Sequence, residues 1–272
     1  MAKERIPLPY LQFDPSVSMT FSRVEDIIKK GEFVDWKPMA TQLGQMGDGG
    51  KRRPAIYEFM CEMTDGLMAL FRSKEYGIPQ PFSRVSTASH GTRHASAFIV
   101  SHTGEFDLCP FSAERIHPDF GEGTLTAMLD GIPFLFVDPI TRGTKGVRDL
   151  RKPMALEQAY LFDYIIGSGQ RCESGLVVSE EGIVYDQYHH EAFSWSEDRR
   201  LEEAFRNSTK TISREFWNKL EAMLPGTFKA QRVKNTLTDT IGEEATEKMF
   251  SYLHKVFLDK YLGNVRILVG YG

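Results

Sequence analysis

The sequence predicts an α+β chain in two segregated lobes, and three observations carry that expectation. The first half strings short apolar runs between Gly- and Pro-bounded turns, the pattern of strands. The second half places apolar residues at helical spacing over several long stretches. One hairpin pattern, near residues 176–185, interrupts that helical half. A small strand-rich lobe followed by a mostly helical lobe is the arrangement such segregation yields. At 272 residues and 41% hydrophobic, the chain is long enough for two lobes sharing a cleft.

Residues 1–29 are set apart as an N-terminal arm, rich in Pro and polar groups over 1–20 and read there as extended. The strand-rich lobe is assigned to 30–145. It opens with a strand over Glu32–Pro38, closed by Pro38. Gly44, Gly47, Gly49 and Gly50 make Gln42–Gly50 a loop. A helix is expected from Pro54 to Arg72, with Pro54 in its first turn and Ile56, Phe59, Met60, Met63, Leu67 and Leu70 as its buried stripe. Strands are expected at Phe82–Ala88, Ala95–Ser101 and Ile132–Val137, while 105–124 reads as irregular and Thr141–Lys145 as loop.

The helical lobe is assigned to 146–272. Met154–Ile166 is an amphipathic helix leading through Gly167-Ser168-Gly169 into the hairpin of Leu176–Val178 and Ile183–Tyr185. Ser213 is placed to cap a helix running to Leu224. A further helix spans Phe228–Thr240. Thr240 and Glu243 have capping-box spacing for the last one, whose stripe is Ala245, Met249, Leu253, Val256 and Phe257, and which ends at Gly263.

Composition excludes several classes. A net charge of −4 does not argue for nucleic acid or an anionic membrane as obligatory partner, and Lys51-Arg52-Arg53, the one tight early basic cluster, reads as a solvated helix entrance. Cys61, Cys109 and Cys172 are too few and too scattered for a disulfide framework or a zinc motif, so a reducing, intracellular setting is expected. His90, His94, His102 and His117 show no metal-ligand spacing. No signal segment opens the sequence and no run reaches the ~18 apolar residues of a membrane span, so a soluble, cytoplasmic protein is expected.

One constellation carries chemistry. Lys37 sits on an expected strand, Glu58 on an expected helix, and a helix–loop–hairpin follows from Phe162 to Tyr188. Nucleotide kinases use such parts for physical reasons. A strand lysine neutralises phosphate oxygens, a helix carboxylate holds that lysine, a loop aspartate orients the acceptor hydroxyl, and an asparagine and a second aspartate hold magnesium.

The segment FDYIIGSGQRCESGLVVSEEGIVYDQYHHEAF resembles the catalytic segment of the phosphatidylinositol 3-/4-kinase and HipA-like kinase superfamily. Trp36-Lys37-Pro38 is similar to that family's Phe-Lys-Pro, Arg53–Phe71 to its glutamate-bearing helix, and Gly77-Ile78-Pro79 to the turn after it. The resemblance implies a two-lobed protein-kinase-like fold, with ATP as cofactor held at Lys37 and Glu58. Counting from Gly167, the catalytic aspartate falls on Gln170, the family arginine on Arg171, its histidine on Cys172 and the magnesium asparagine on Gly175. Counting from Gly182, the second metal aspartate falls on Tyr188. Glutamine accepts no proton at neutral pH, and tyrosine is a poor magnesium ligand.

These replacements argue against an ordinary magnesium site and for a catalytically inactive pseudokinase that binds another protein. One alternative is an active phosphotransferase with a rearranged metal site, drawn from Asp186, Glu173, His189 and His190. The plainer reading of Asp186 is a surface carboxylate. The other alternative is a structural component of a viral or other large assembly.

Overall fold

The structure is a computed structural model that describes residues 8–14, 16–39, 43–46, 52–54, 58–74, 90–133, 155–168, 176–179, 184–186, 189, 192–195, 210–261, 263 and 265–268. The chain divides into two compact units. One comprises Met1–Pro79, Ser89–Ala95 and Pro110–Asp130, the other Gln80–Ala88, Ser96–Cys109 and Gly131–Gly272.

The first unit contains helix α1 (Phe21–Lys30) and strands β1 (Phe33–Pro38), β2 (Leu43–Met46), β3 (Arg52–Pro54), β4 (Glu58–Met63) and β5 (Met68–Ser73). It continues with the first turn of helix α2 (His90–Thr103) and strands β6 (Ser112–His117) and β7 (Gly121–Ala127). Five strands form one antiparallel sheet in the order β1-β4-β5-β7-β6. Its register defines two faces. Phe59, Phe71, Leu125 and Ala113 lie opposite one another on one face, and Glu58, Arg72, Thr124 and Glu114 on the other. Gly91 of α2 rests on that second face, where a Cβ would come within 2.0 Å of Thr124 Oγ1.

The helix expected over Pro54–Arg72 is instead, over Glu58–Ser73, a hairpin. Phe59, Cys61 and Met63 alternate with half-buried neighbours, a period of two that a count of i, i+4 and i+7 positions also satisfies. Asp65 and Gly66 take φ of 65° and 74° and turn the chain back into β5. The strand expected over Ala95–Ser101 is part of α2, in which Arg93, His94, Ser96, Ala97, Val100 and Ser101 are buried. The irregular 105–124 stretch contains β6 and the start of β7, and the expected loop at Gln42–Gly50 contains β2. The expected strand Phe82–Ala88 lies outside the described residues.

The arm is docked onto the first unit. Tyr10 and Gln12 make bridges to Leu129 and Leu67, and Tyr10 and Met19 are buried. Residues 21–30, all but Lys30 read within the arm, form α1, capped by Thr20 Oγ1 accepting from the Arg23 N–H. Arg115 closes its far end by donating to the carbonyls of Ile28 (2.6 Å) and Gly31 (2.7 Å).

The second unit contains the rest of α2, then β8 (Ile132–Pro133), α3 (Ala155–Ile166), β9 (Leu176–Val178), β10 (Val184–Asp186) and β11 (Lys210–Ser213). It ends with α4 (Arg214–Glu221), α5 (Phe228–Ile241), α6 (Glu243–Tyr261) and β12 (Val265–Leu268). The expected hairpin is present, with Val184 opposite Val178 and Asp186 opposite Leu176. Ser213 caps α4 as its sequence position suggests, accepting from the Phe216 N–H. The α6 stripe is buried at Ala245, Met249, Leu253 and Val256. Thr240 does not cap α6. Its Oγ1 bonds back to the Thr236 carbonyl while α5 runs on to Ile241, and Gly242, at φ 89°, makes the joint.

Among the described residues no helix is long and apolar enough to cross a membrane. Cys61 and Cys109 are buried free thiols, and burial pushes the Cys61 thiol up to about 12.

Candidate functional site

In the first unit Lys37 and Glu58 stand on adjacent strands as diagonal neighbours of one face, but no ion pair joins them. Lys37 is exposed on the edge strand β1, opposite Met60. Glu58 lies on β4, not on a helix, and its Oε1 accepts from Arg72 Nε at 2.7 Å. Arg72 stands on β5, the central strand, and its side chain is 4% exposed.

The kinase arrangement sets a strand cation against a carboxylate from the following helix. The helix that follows β5 and rests on the same sheet face as Arg72 is α2. The segment His90–Thr103 contains neither Asp nor Glu, and two of its buried polar residues are Arg93 and His94. The central-strand cation is therefore Arg72, and its carboxylate comes from within the sheet.

A second group of residues lies in the second unit. The later part of α2 supplies Ser101, whose Oγ accepts the N–H groups of Leu108 (2.9 Å) and Cys109 (3.2 Å). The Leu108 carbonyl in turn accepts the Asp186 N–H at 2.8 Å, fixing the end of β10. Asp163 projects from the last turns of α3, among the buried residues Ala159, Phe162 and Ile166.

Beyond α3, Gly167 adopts φ +66°, and a Cβ there would lie 2.3 Å from the Trp195 ring. The Phe193 N–H donates to the Ile166 carbonyl (2.6 Å), and the Ala192 N–H to that of His189 (3.0 Å). These ties hold the segment after β10 against the end of α3.

Asp163, Asp186 and His189 meet there. They offer one ligand atom each, all within 4.8 Å of one another. Their exposures are 4%, 4% and 1%. His189 Nε2 is 3.0 Å from Cys109 Sγ and 3.2 Å from the Asp186 carbonyl oxygen, and Nδ1 is 3.8 Å from Asp186 Oδ2. The surface reading of Asp186 is corrected: pairing of β10 with β9 and the bond to Leu108 bury it. Gln170, Arg171, Cys172, Glu173, Gly175, Tyr188 and His190 lie outside the described residues.

Kinase chemistry implies magnesium, which takes oxygen ligands in octahedral geometry and keeps several waters. A buried set of two carboxylates and one imidazole does not fit that ion.

No family model matches the chain, and no curated protein matches it. Solved structures do. Fam20 of hydra, solved with sugar, superposes with a TM-score of 0.54 at 12% identity, covering 94% of this chain and 95% of that one. The Golgi casein kinase with Mn/ADP bound superposes with a TM-score of 0.54 at 10% identity, covering 87% and 74%. At such identities the likeness is one of fold, and the fold of this chain is kinase-like.

Proposed function

We propose that this chain is a pseudokinase: a kinase-like module that holds a phosphate-bearing nucleotide without transferring its phosphate, and acts through a protein partner. The observation that carries this is the Arg72–Glu58 pair on the sheet beside a helix α2 without any carboxylate. Phosphoryl transfer depends on an adjustable lysine ammonium, positioned by a helix glutamate that can move with its helix. A guanidinium binds phosphate oxygens in a fixed fork, and a partner on the neighbouring strand cannot shift independently. Such a pair suits holding an anion more than steering it through a transition state. Gln170, at the spacing of the acceptor-orienting aspartate, supports the same conclusion, because an amide is no general base at neutral pH. The segment from Phe162 to Phe193 supports the finer affiliation with phosphatidylinositol and HipA-type kinases.

The test is calorimetric titration with ATP, ADP and a non-hydrolysable ATP analogue. Binding is expected in the wild type, lost in Arg72→Gln, weakened in Arg72→Lys and retained in Lys37→Ala. Absence of nucleotide binding, or a loss confined to Lys37→Ala, contradicts the proposal.

A second reading, an ATP-dependent phosphotransferase with a rearranged metal site, is favoured by one observation, the burial of Asp186 beside Asp163 and His189.

A further inference from the structure

We infer that the outer edge of β1 is a self-association surface, on which a second copy of this chain pairs antiparallel about a two-fold axis at Trp36. The inference does not rest on the pseudokinase reading, since it concerns association between copies and nucleotide has no part in it.

The case begins with the main chain. β1 is an edge strand of the five-stranded sheet, paired among the described residues only with β4. The Met39 N–H donates to the Glu58 carbonyl at 3.0 Å. Alternation along the regular register from Asp35 to Pro38 therefore turns the main-chain groups of Lys37 and Asp35 towards β4, and those of Trp36 and Pro38 outwards. Asp35 Oδ1 accepts the outward N–H of Trp36 at 2.8 Å, a side chain standing in for a further strand. Pro38 has no N–H, and the outer edge is where that lack leaves the ladder to β4 intact. Val34 is 62% exposed and Trp36 39%.

The side chains select the occupant. Asp35 and Lys37 are exposed on one face of β1, and Trp36 stands on the other. About an axis at Trp36, a second copy sets Asp35 against Lys37 twice, Val34 against Pro38 twice, and the two Trp36 residues against each other. Moving the axis one residue either way sets Asp35 against Asp35 or Lys37 against Lys37, so charge fixes the register. Edge lysines and prolines ordinarily discourage pairing with other strands. Here the lysine meets its opposite charge in one register of one partner, the same strand of a second copy.

Trp36 is held ready as the central contact. Its indole N–H donates to Asp119 Oδ2 at 3.1 Å, and its ring stands edge-on to Phe59 and Phe120 at 5.8 and 4.7 Å between centroids. A half-exposed ring already fixed in this way loses little freedom on contact. Pairing exchanges the local bond from the Trp36 N–H to Asp35 for main-chain bonds between the two Trp36 residues, and releases the carboxylate to meet Lys37 of the second copy. Among the described residues no ion pair within the chain engages Lys37. A strand of six residues makes a small, transient interface, so a dissociation constant on the order of 100 μM is expected.

The experiment is sedimentation velocity on the full chain, from about 1 μM to about 1 mM. A monomer–dimer equilibrium is expected, weakened in high salt. Asp35→Lys and Lys37→Asp each set like charges opposite one another twice per dimer, and each should weaken self-association by about tenfold or more. An equimolar mixture of the two variants should associate as well as the wild type, because each strand then carries the charges that complement the other. Both positions are exposed, and circular dichroism checks that the fold is kept. Should a reversal fail to fold, Asp35→Asn, which keeps an acceptor for the Trp36 N–H, and the salt dependence of the wild type still decide. A chain that stays monomeric throughout overturns the inference and leaves the edge to a strand of another protein. Dimers that survive both reversals, or a mixture that associates no better than either variant alone, overturn it by placing the contact elsewhere.

Discussion

Removing the Glu58 carboxylate tests the rearranged ion pair. The Arg72 side chain is 4% exposed and that of Glu58 19%. Breaking a fully buried pair by deleting one partner costs about 3–5 kcal/mol, and an exposed pair contributes about 0–1 kcal/mol. With one partner buried and the other still reached by water, Glu58→Ala should destabilise the chain by about 2 kcal/mol. For a protein of this size that corresponds to a fall of roughly 4–8 °C in unfolding temperature. Lys37 is exposed on the sheet edge, so Lys37→Ala should stay within about 0.5 kcal/mol of wild type.

A pair of double-mutant cycles, read by urea unfolding followed by circular dichroism, separates the two assignments. Coupling between Glu58 and Arg72 should exceed about 1 kcal/mol, and coupling between Glu58 and Lys37, its exposed diagonal neighbour, should stay below about 0.5 kcal/mol. Equal couplings, or a larger one to Lys37, would refute the argument, because Glu58 would then serve the edge lysine.

Two further consequences concern stability. His117 is buried against the rings of Phe33, Phe71 and Phe120 and accepts the Asp119 N–H at Nδ1. Burial holds its pKa below the usual histidine value, with Asp119 opposing the shift. Below about pH 6.5 the unfolded chain takes up a proton that the folded chain resists, so this contribution is complete above that pH and is lost as the pH falls towards the folded value. Unfolding temperatures recorded from pH 5 to 8 should decline on the acid side, and His117→Gln should flatten that decline. Gly167→Ala should destabilise by about 2 kcal/mol or more, combining a positive φ with overpacking against Trp195, as measured by chemical unfolding. An unchanged midpoint would contradict the close approach of that ring.

What the sequence made legible was the part whose periodicity is unambiguous. β1, α3, the β9–β10 hairpin and the three last helices combine one repeat length with clear end signals, such as Ser213 and Gly263. The β4–β5 hairpin was hidden because Phe59, Met63, Leu67 and Leu70 satisfy a helical count as well as a strand count. Asp65-Gly66, a hairpin dipeptide, was the discriminating signal. α2 was hidden because Ala97–Val100 is a short apolar run that either structure accommodates.

The site suffered accordingly. Arg72 was readable only as a lone cation ending the apolar run Met68–Phe71, once that run is taken as a strand. The burial of Asp186 was not legible because it depends on the pairing of β10 with β9 and not on spacing along the chain. Asp163, already within the quoted motif, gains meaning only when the end of α3 meets the end of β10, a contact that no local pattern encodes.

The central claim is that this kinase-like chain does not transfer phosphate. The most direct measurement is single-turnover incubation of the purified chain with γ-labelled ATP, in parallel with magnesium, manganese and zinc, following label in protein, in free phosphate and in added acceptors. The account predicts no transfer and no hydrolysis above a protein-free control with any of the three ions. Turnover in the wild type that disappears in both Arg72→Gln and Asp186→Asn would contradict it, and would make the chain an active transferase built on a rearranged site.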